Sequence, residues 1–486
     1  MFVLFIAMIF ALYYHASIET GSTLPASELL AIVTLPRLAA GLVYLLMTRV
    51  TLRMLATPGA PKAMAWMDRL GRLYHLVILL LFVSDIRMGL LATLRDMLGG
   101  NRVLVDEILI FIPTLLMILW QWVCYYPIDR RLREASLMRR LDAGLPAFDL
   151  CTPGQYVLNQ LRHQVLVVLI PLLALYGWSE IVDRLPASIT HAGQWDITLL
   201  YSLGGAGLLL TLSPVMLRYL WDTQPLPAGP LRSTLENLCR TYGVKVRQLL
   251  LWKTYGTLIN AAVMGMIWRI RYIMLTDALL ENMSQLQVEA VMAHEVAHLR
   301  RRHIIWLVVA AAAILVALQS LSIILLKLYM HAPPLPGSFG QLQEILVDEI
   351  LFGRIVVIAS MVGWFLIFGW VSRRFERQAD TFAVQHLSMQ YGRQLDPSLG
   401  LVVDHHSAAT MINALQQLAN LNHIPVHRNT WRHGSIRWRQ RYLESIIGQP
   451  LHQLAIDDHI FWIKAAALLI LAGGAFFELY RLGMIA

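Results

Sequence analysis

Runs of about twenty apolar residues recur along this chain, and a run of that length is long enough to cross a bilayer as a helix. They are Leu29–Met47, Tyr74–Leu94, Leu104–Tyr126, Gln164–Ile181, Ile197–Leu220, Ile304–Met330, Ile345–Trp370 and Ile460–Tyr480, with a shorter one at Phe2–Tyr14. Only 15% of the 486 residues are charged, against roughly 25% in soluble domains. These features predict a mainly α, polytopic membrane protein of about nine spans. The Phe2–Tyr14 run has neither a basic start nor a clear cleavage site, so it reads as a retained anchor. Arg49, Arg53, Lys62, Arg69 and Arg72 follow the Leu29–Met47 run, and Arg130, Arg131, Arg133, Arg139 and Arg140 follow the Leu104–Tyr126 run. His331–Gln343 has no Lys or Arg. The positive-inside rule makes the basic loops cytoplasmic. The net charge of +9 is then explained by topology and by anionic lipid, and it calls for no nucleic acid. Cys124, Cys151 and Cys239 form no paired pattern and read as structural thiols.

Between the apolar runs the chain divides into five parts: 1–222 with six candidate spans, a soluble segment 223–303, a transmembrane pair 304–371, a second soluble segment 372–459, and a last span in 460–486. In the first soluble segment, Leu231–Tyr242 reads as an amphipathic helix. Gln248–Lys253, Ala262–Ile270 and Arg271–Leu275 read as strands of a small sheet whose edge could hold an extended peptide.

That segment ends in His294-Glu295-Val296-Ala297-His298. On a helix, positions i and i+4 share a face, so both imidazoles can reach one metal ion. Glu295, beside the first histidine, is placed to move a proton between a water and a leaving amine. Ser284 to Gln287 reads as a capping box that starts the helix. Arg300, Arg301, Arg302 and His303 load its C-terminal end with positive charge. The motif lies between the Ile197–Leu220 and Ile304–Met330 runs, the sixth and seventh candidate spans, which puts it close to the cytoplasmic membrane surface. A catalytic zinc takes three protein ligands and leaves a position for water. The third ligand must come from downstream. Glu376, in Ser372-Arg373-Arg374-Phe375-Glu376-Arg377-Gln378-Ala379-Asp380, starts a further helix after the eighth span, with Asp380 one turn on as its support. Taken alone, Glu376 reads better as a solvated helix carboxylate among arginines. Asp404, His405 and His406 are a rival source of ligands, though they also read as the polar start of the amphipathic run Met411–Leu421.

Taken together, Tyr272–Glu281, Glu289–His298 and Ser372–Asp380 resemble the integral-membrane gluzincin peptidases, namely the type I CAAX prenyl proteases and the HtpX-like membrane proteases. The resemblance covers roughly Pro225–Ile447. It implies a zincin-like α+β catalytic domain built from two chain segments, one Zn2+ per chain, and Glu376 as the third ligand with His294 and His298. It further implies that Asn260-Ala261 is the substrate-facing pair, that His433 donates to the oxyanion, and that Arg439 pairs with Asp380. Gly434 stands where the family usually has Pro. CAAX-type enzymes are expected to have seven spans, where nine are counted here.

The expected function is zinc-dependent hydrolysis of peptide bonds, in membrane-associated or misfolded proteins, at the cytoplasmic face of a bacterial inner membrane. Processing of lipidated peptides is one alternative, and a non-catalytic membrane scaffold with a structural metal is another. Ala310–Ala313 and Ala317 leave room for an apolar cavity, although small residues in a span also serve simply to pack helices.

Overall fold

The computed structural model describes Met8 and residues 25–481 other than 56, 58–59, 101, 143–149, 193–194, 255–257, 331–348, 393–401 and 423. Residues 1–223 and 224–486 form two compact units.

The first unit is built from α1 (Ala26–Met54), α2 (Ala60–Arg87), α3 (Leu90–Met97), α4 (Val105–Asp142), α5 (Pro153–Gln160), α6 (Val167–Asp183) and α7 (Thr198–Leu220). Helix α5 continues through a π-helical turn, Leu161–Leu166, into α6. The bend between α2 and α3 is 58°. It falls at Gly89, so the expected Tyr74–Leu94 span is a broken one. Charges inside this unit are paired, as burial in an apolar setting requires. Arg37 on α1 binds Asp85 on α2. Arg95 on α3 binds Asp106 at 2.6 Å and Glu107 at 3.1 Å on α4.

The second unit carries a four-stranded sheet and eight helices among its described residues. Its strands are β1 (Thr223–Pro225), β2 (Gln248–Trp252), β3 (Ala261–Met264) and β4 (Tyr272–Thr276). The sheet order is β1-β2-β4-β3, with β2 parallel to β4 and β3 antiparallel to it. All five residues of β4 are buried, which suits the central position of an apolar Tyr-Ile-Met-Leu-Thr run. Strand β3 is an edge. It is shorter than the expected Ala262–Ile270 strand, because the chain turns at Gly265 with φ +101, where a side chain is strained. A 3-10 turn at Trp268–Ile270 follows, and the Arg271 guanidinium holds the turn by donating to Gly265 O (3.1 Å) and Met266 O (2.5 Å).

The helices are α8 (Pro230–Thr241), α9 (Asp277–Asn282), α10 (Gln285–Arg300), α11 (His303–Met330), α12 (Glu349–Leu387), α13 (His405–Leu421), α14 (Ile436–Ser445) and α15 (Ala455–Arg481). The Ser284–Gln287 capping box starts α10 with both reciprocal bonds made. Arg302, in the left-handed region at φ 55, separates α10 from α11. Glu376 does not begin a new helix after a span. The span and the Glu376 segment are one continuous helix, α12, because Trp370 to Leu387 contains no Pro or Gly to stop it.

Among the described residues, seven helices are long and apolar enough to cross a membrane, or eight if the bent α2–α3 pair counts as one span. These eight match the eight long apolar runs. The Phe2–Tyr14 run lies outside the described residues except for Met8. The chain is therefore a polytopic helical membrane protein with a small sheet.

Helix α10 is pinned to α12 through a buried acid. Glu289 accepts from Tyr391 Oη at 2.7 Å and bonds His386 Nε2 at 2.9 Å. The other nitrogen of His386 bonds Tyr242 Oη at 3.0 Å. Burial alone would raise the Glu289 carboxyl, but the bonds from His386 and Tyr391 outweigh it and hold its pKa below the ordinary carboxylate value. A depressed native pKa stabilises the fold above the unfolded-state pKa, and that contribution is lost as pH falls through the native value. Glu289→Gln should therefore cost about 2 kcal/mol. In thermal unfolding in detergent it should lower the midpoint at pH 7, with the gap to wild type closing on acidification. An unchanged midpoint at pH 7 would remove Glu289 from the docking of α10.

Candidate metal centre

Helices α10 and α12 bring His294, His298 and Glu376 together. One ligand atom from each lies within 4.8 Å of the others. His294 Nε2 and His298 Nε2 are 3.2 Å apart, and each lies 3.7 Å and 3.8 Å respectively from a Glu376 oxygen. Tetrahedral ligands at about 2.0–2.1 Å from zinc stand roughly 3.3 Å apart, so this spacing fits the ion. Two ring nitrogens facing each other beside a carboxylate are also a donor set that a cation satisfies. Asp404, His405 and His406 do not join the group. Asp404 instead caps α13 by accepting from Ser407 N at 2.9 Å.

Further groups surround these three. His294 Nδ1 is 2.9 Å from Asp380 Oδ1, a hydrogen-bond length without full hydrogen-bond alignment. Arg439 on α14 donates to both Asp380 oxygens at 2.7 and 2.5 Å and stands 3.6 Å from Glu376. His433, half exposed, places Nδ1 3.0 Å from Glu376 Oε2. Gly434 has φ +75 and closes a tight turn by exchanging backbone bonds with Thr430. Proline is locked near −65°, so this turn cannot accept a proline at 434.

His303 is not part of a solvated basic helix end, although the run Arg300–His303 suggests one. Its side chain is fully buried. Its Nδ1 bonds His298 Nδ1 at 2.9 Å, and its Nε2 bonds Gln378 Oε1 at 2.9 Å. Gln378 donates in turn to Asp457 at 2.5 Å. The outer nitrogen of one candidate ligand is thus held by a chain running from α11 through α12 to α15. The one sequence signal was a histidine five residues after the motif, and it was masked by three arginines.

Burial lowers the His298 imidazole to about 4 against the pull of Glu376, which keeps it neutral as a ligand must be. Burial also disfavours charge on His294, but Asp380 and Glu376 outweigh it and raise its pKa. Burial pushes the Glu295 carboxyl up to about 7, with His294 opposing. A carboxyl balanced near neutrality suits a group that takes and returns a proton.

These side chains line a cleft of about 450 Å³, along with residues 260–263 of the β3 edge and Arg432. Asn260 is exposed there, and its backbone is fixed by bonds to Thr276 (Asn260 N to Oγ1, 3.0 Å; Thr276 N to Asn260 O, 3.1 Å). Ala261 is the first residue of β3 and is buried. The edge strand, the acid and the candidate ligands therefore face one cavity.

Residues 225–418 match the model of peptidase family M48. Over 238 residues the chain is 28% identical to the CAAX prenyl protease 1 homolog of Arabidopsis thaliana, covering 48% of this chain and 53% of that protein. It is 26% identical to the Oryza sativa subsp. japonica homolog over 223 residues, 45% of this chain and 50% of that one. The chain spans about half the length of the curated relatives it matches. The crystal structure of S. mikatae Ste24p aligns with 87% of this chain and 99% of its own, at TM-score 0.42 and 17% identity, a superposition too loose to carry an argument. Residues 225–418 are thus similar to M48 peptidases, and they sit in a polytopic helical membrane chain that resembles the CAAX prenyl protease 1 homologs over about half its length.

His303→Ala should leave the fold intact and weaken zinc retention about 10- to 100-fold, as loss of an outer partner does at histidine sites. Competition against a chelator reads this directly, and unchanged zinc affinity would reduce His303 to a packing residue. Gly434→Pro should displace the His433 turn, detectable as faster proteolytic nicking between 425 and 435; unchanged nicking would show that the turn tolerates proline.

Proposed function

We propose that this chain is a membrane-embedded zinc metalloendopeptidase acting at the cytoplasmic face on membrane-associated or misfolded proteins. The observation that carries the proposal is the convergence of His294, His298 and Glu376 in a cleft that also holds Glu295 and the free edge of β3. Each of the three ligand residues has its own outer support: Asp380 behind His294, His303 behind His298, and Arg439 and His433 beside Glu376. A closed structural site would need a fourth protein ligand, and among the described residues the group has three.

Zinc held there would act as a Lewis acid, acidifying a water and polarising the scissile carbonyl. The rest of the chemistry belongs to the chain. An extended peptide adds to the β3 edge by main-chain bonds, with Asn260 and Ala261 at the entry to the strand. Glu295 takes the proton of the attacking water and delivers it to the leaving amine. His433, on a turn at the cleft wall, swings from Glu376 to donate to the developing oxyanion. Arg439 keeps Asp380 ionised and aimed at His294, which fixes the ring that faces the metal.

Basic residues around the α1–α2 junction and in the C-terminal part of α4 support a cytoplasmic site. Processing of lipidated peptides is a second reading, favoured by the names of the two plant relatives.

The test compares wild type with Glu295→Gln, purified in detergent, on an unfolded test protein and on a prenylated peptide, with zinc assayed in both samples. Wild type should cut, and the variant should keep its zinc and lose at least about 10²-fold in turnover. Cleavage of the peptide alone would select the processing reading. Equal turnover by wild type and variant would remove Glu295 from the chemistry.

A further inference from the structure

A second cavity, of about 560 Å³, lies between α11, α12 and α15, three helices long and apolar enough to span the membrane. This volume is in the range of small-molecule sites, roughly 300–1,000 Å³. Its walls are apolar, with Ala310 and Ala313 from α11, Ile367 from α12, and Ala467 and Ile470 from α15. The alanine run singled out in the sequence thus does leave space. At one end the lining changes character to Arg374, Arg377 and His459.

The two arginines are unusual for charges in such a setting. Among the described residues no carboxylate lies within ion-pair distance of either. The nearby Glu376 and Asp380 are engaged instead by His433, Arg439 and the candidate ligand histidines. Both guanidinium groups are instead laid on aromatic faces. Arg374 Cζ is 4.2 Å from the Trp370 ring centre, and Arg377 Cζ is 3.3 Å from that of Trp438 and 4.7 Å from that of Tyr442. Stacking fixes a guanidinium in its plane and leaves its N–H edge free, the geometry that receives a phosphate. Arg377 Nε is buried with no hydrogen-bond partner, and a buried donor left in that state is costly. An apolar slot between spans with an unneutralised pair of cations at its mouth is complementary to a lipid with an anionic head.

We propose that this cavity holds one anionic phospholipid, its acyl chain along the Ala310–Ala313 wall and its phosphate on Arg374 and Arg377. The site is separate from the metal cleft. Helix α12 has the two arginines at the cavity and Glu376 at the cleft, so an occupied site would steady the helix that supplies the third candidate ligand.

The experiment is native mass spectrometry of the full chain released from vesicles of phosphatidylglycerol and phosphatidylcholine at equal concentration. Wild type should retain one phosphatidylglycerol in preference to phosphatidylcholine. With each arginine contributing about fivefold, the preference should be roughly twenty-five-fold. Arg374→Gln/Arg377→Gln should abolish the preference, and Ala313→Phe, which fills the apolar wall, should reduce retention of both lipids. Arg428→Ala/Arg441→Ala, which removes two exposed basic residues elsewhere, should change neither. Equal retention of the two lipids by wild type would overturn the proposal, even if the double variant does not fold. So would an undiminished preference in a folded Arg374→Gln/Arg377→Gln. Lipid retention is read without turnover, so its outcome is independent of the peptidase chemistry.

Discussion

A buried guanidinium–carboxylate pair, Arg439 on Asp380, is the interaction on which the candidate site rests. Both side chains are nearly inaccessible, and a carboxylate in that position is tolerable only with a full set of donors. Arg439 supplies two parallel bonds, the strongest geometry available to such a pair. With its charge fixed, Asp380 can sit behind His294 without drifting, and Arg439 can reach on to Glu376. The same pair ties α14 to α12, so the loop that carries His433 ends at a fixed helix. Removing either partner would leave a bare charge next to two imidazoles and two further carboxyls.

The second constraint is continuity. Helix α12 runs unbroken from a membrane-spanning stretch into the site, and α11 starts three residues after α10 ends. The candidate metal centre is therefore assembled at the ends of spans, with α10 and α11 separated by only two residues. His303 uses this arrangement. As the first residue of α11 it is carried under His298, and Gln378 on α12 and Asp457 on α15 complete the chain behind it. Three spans thus contribute to holding one ring. The phospholipid proposed for the cavity among those same helices would act on the same frame.

Much of the site was legible because its chemistry is local. His294, Glu295 and His298 share a helical face by spacing alone, and Ser284 and Gln287 marked the start of that helix. The apolar runs located eight membrane segments, since backbone groups in hydrocarbon leave few alternatives to a helix. Glu376 was not legible in the same way. Among three arginines it reads as a surface residue, and only a resemblance promoted it over Asp404, His405 and His406. His303 was misread outright, because a histidine after three arginines looks exposed unless its partners on α12 and α15 are known.

The amino-acid sequence by itself therefore determined the membrane-spanning helices, the capped motif helix and the identity of two candidate ligands, all of which depend on residues within one or two turns of each other. Tertiary structure decided the rest. It joined Glu376 to a span in one helix, shortened β3 at Gly265, buried His303 against His298, and set Arg374 and Arg377 on aromatic rings beside a cavity. Each of these depends on contacts between residues tens of positions apart, where the burial and pairing of a charge follow from the partner across the gap and no local pattern records them.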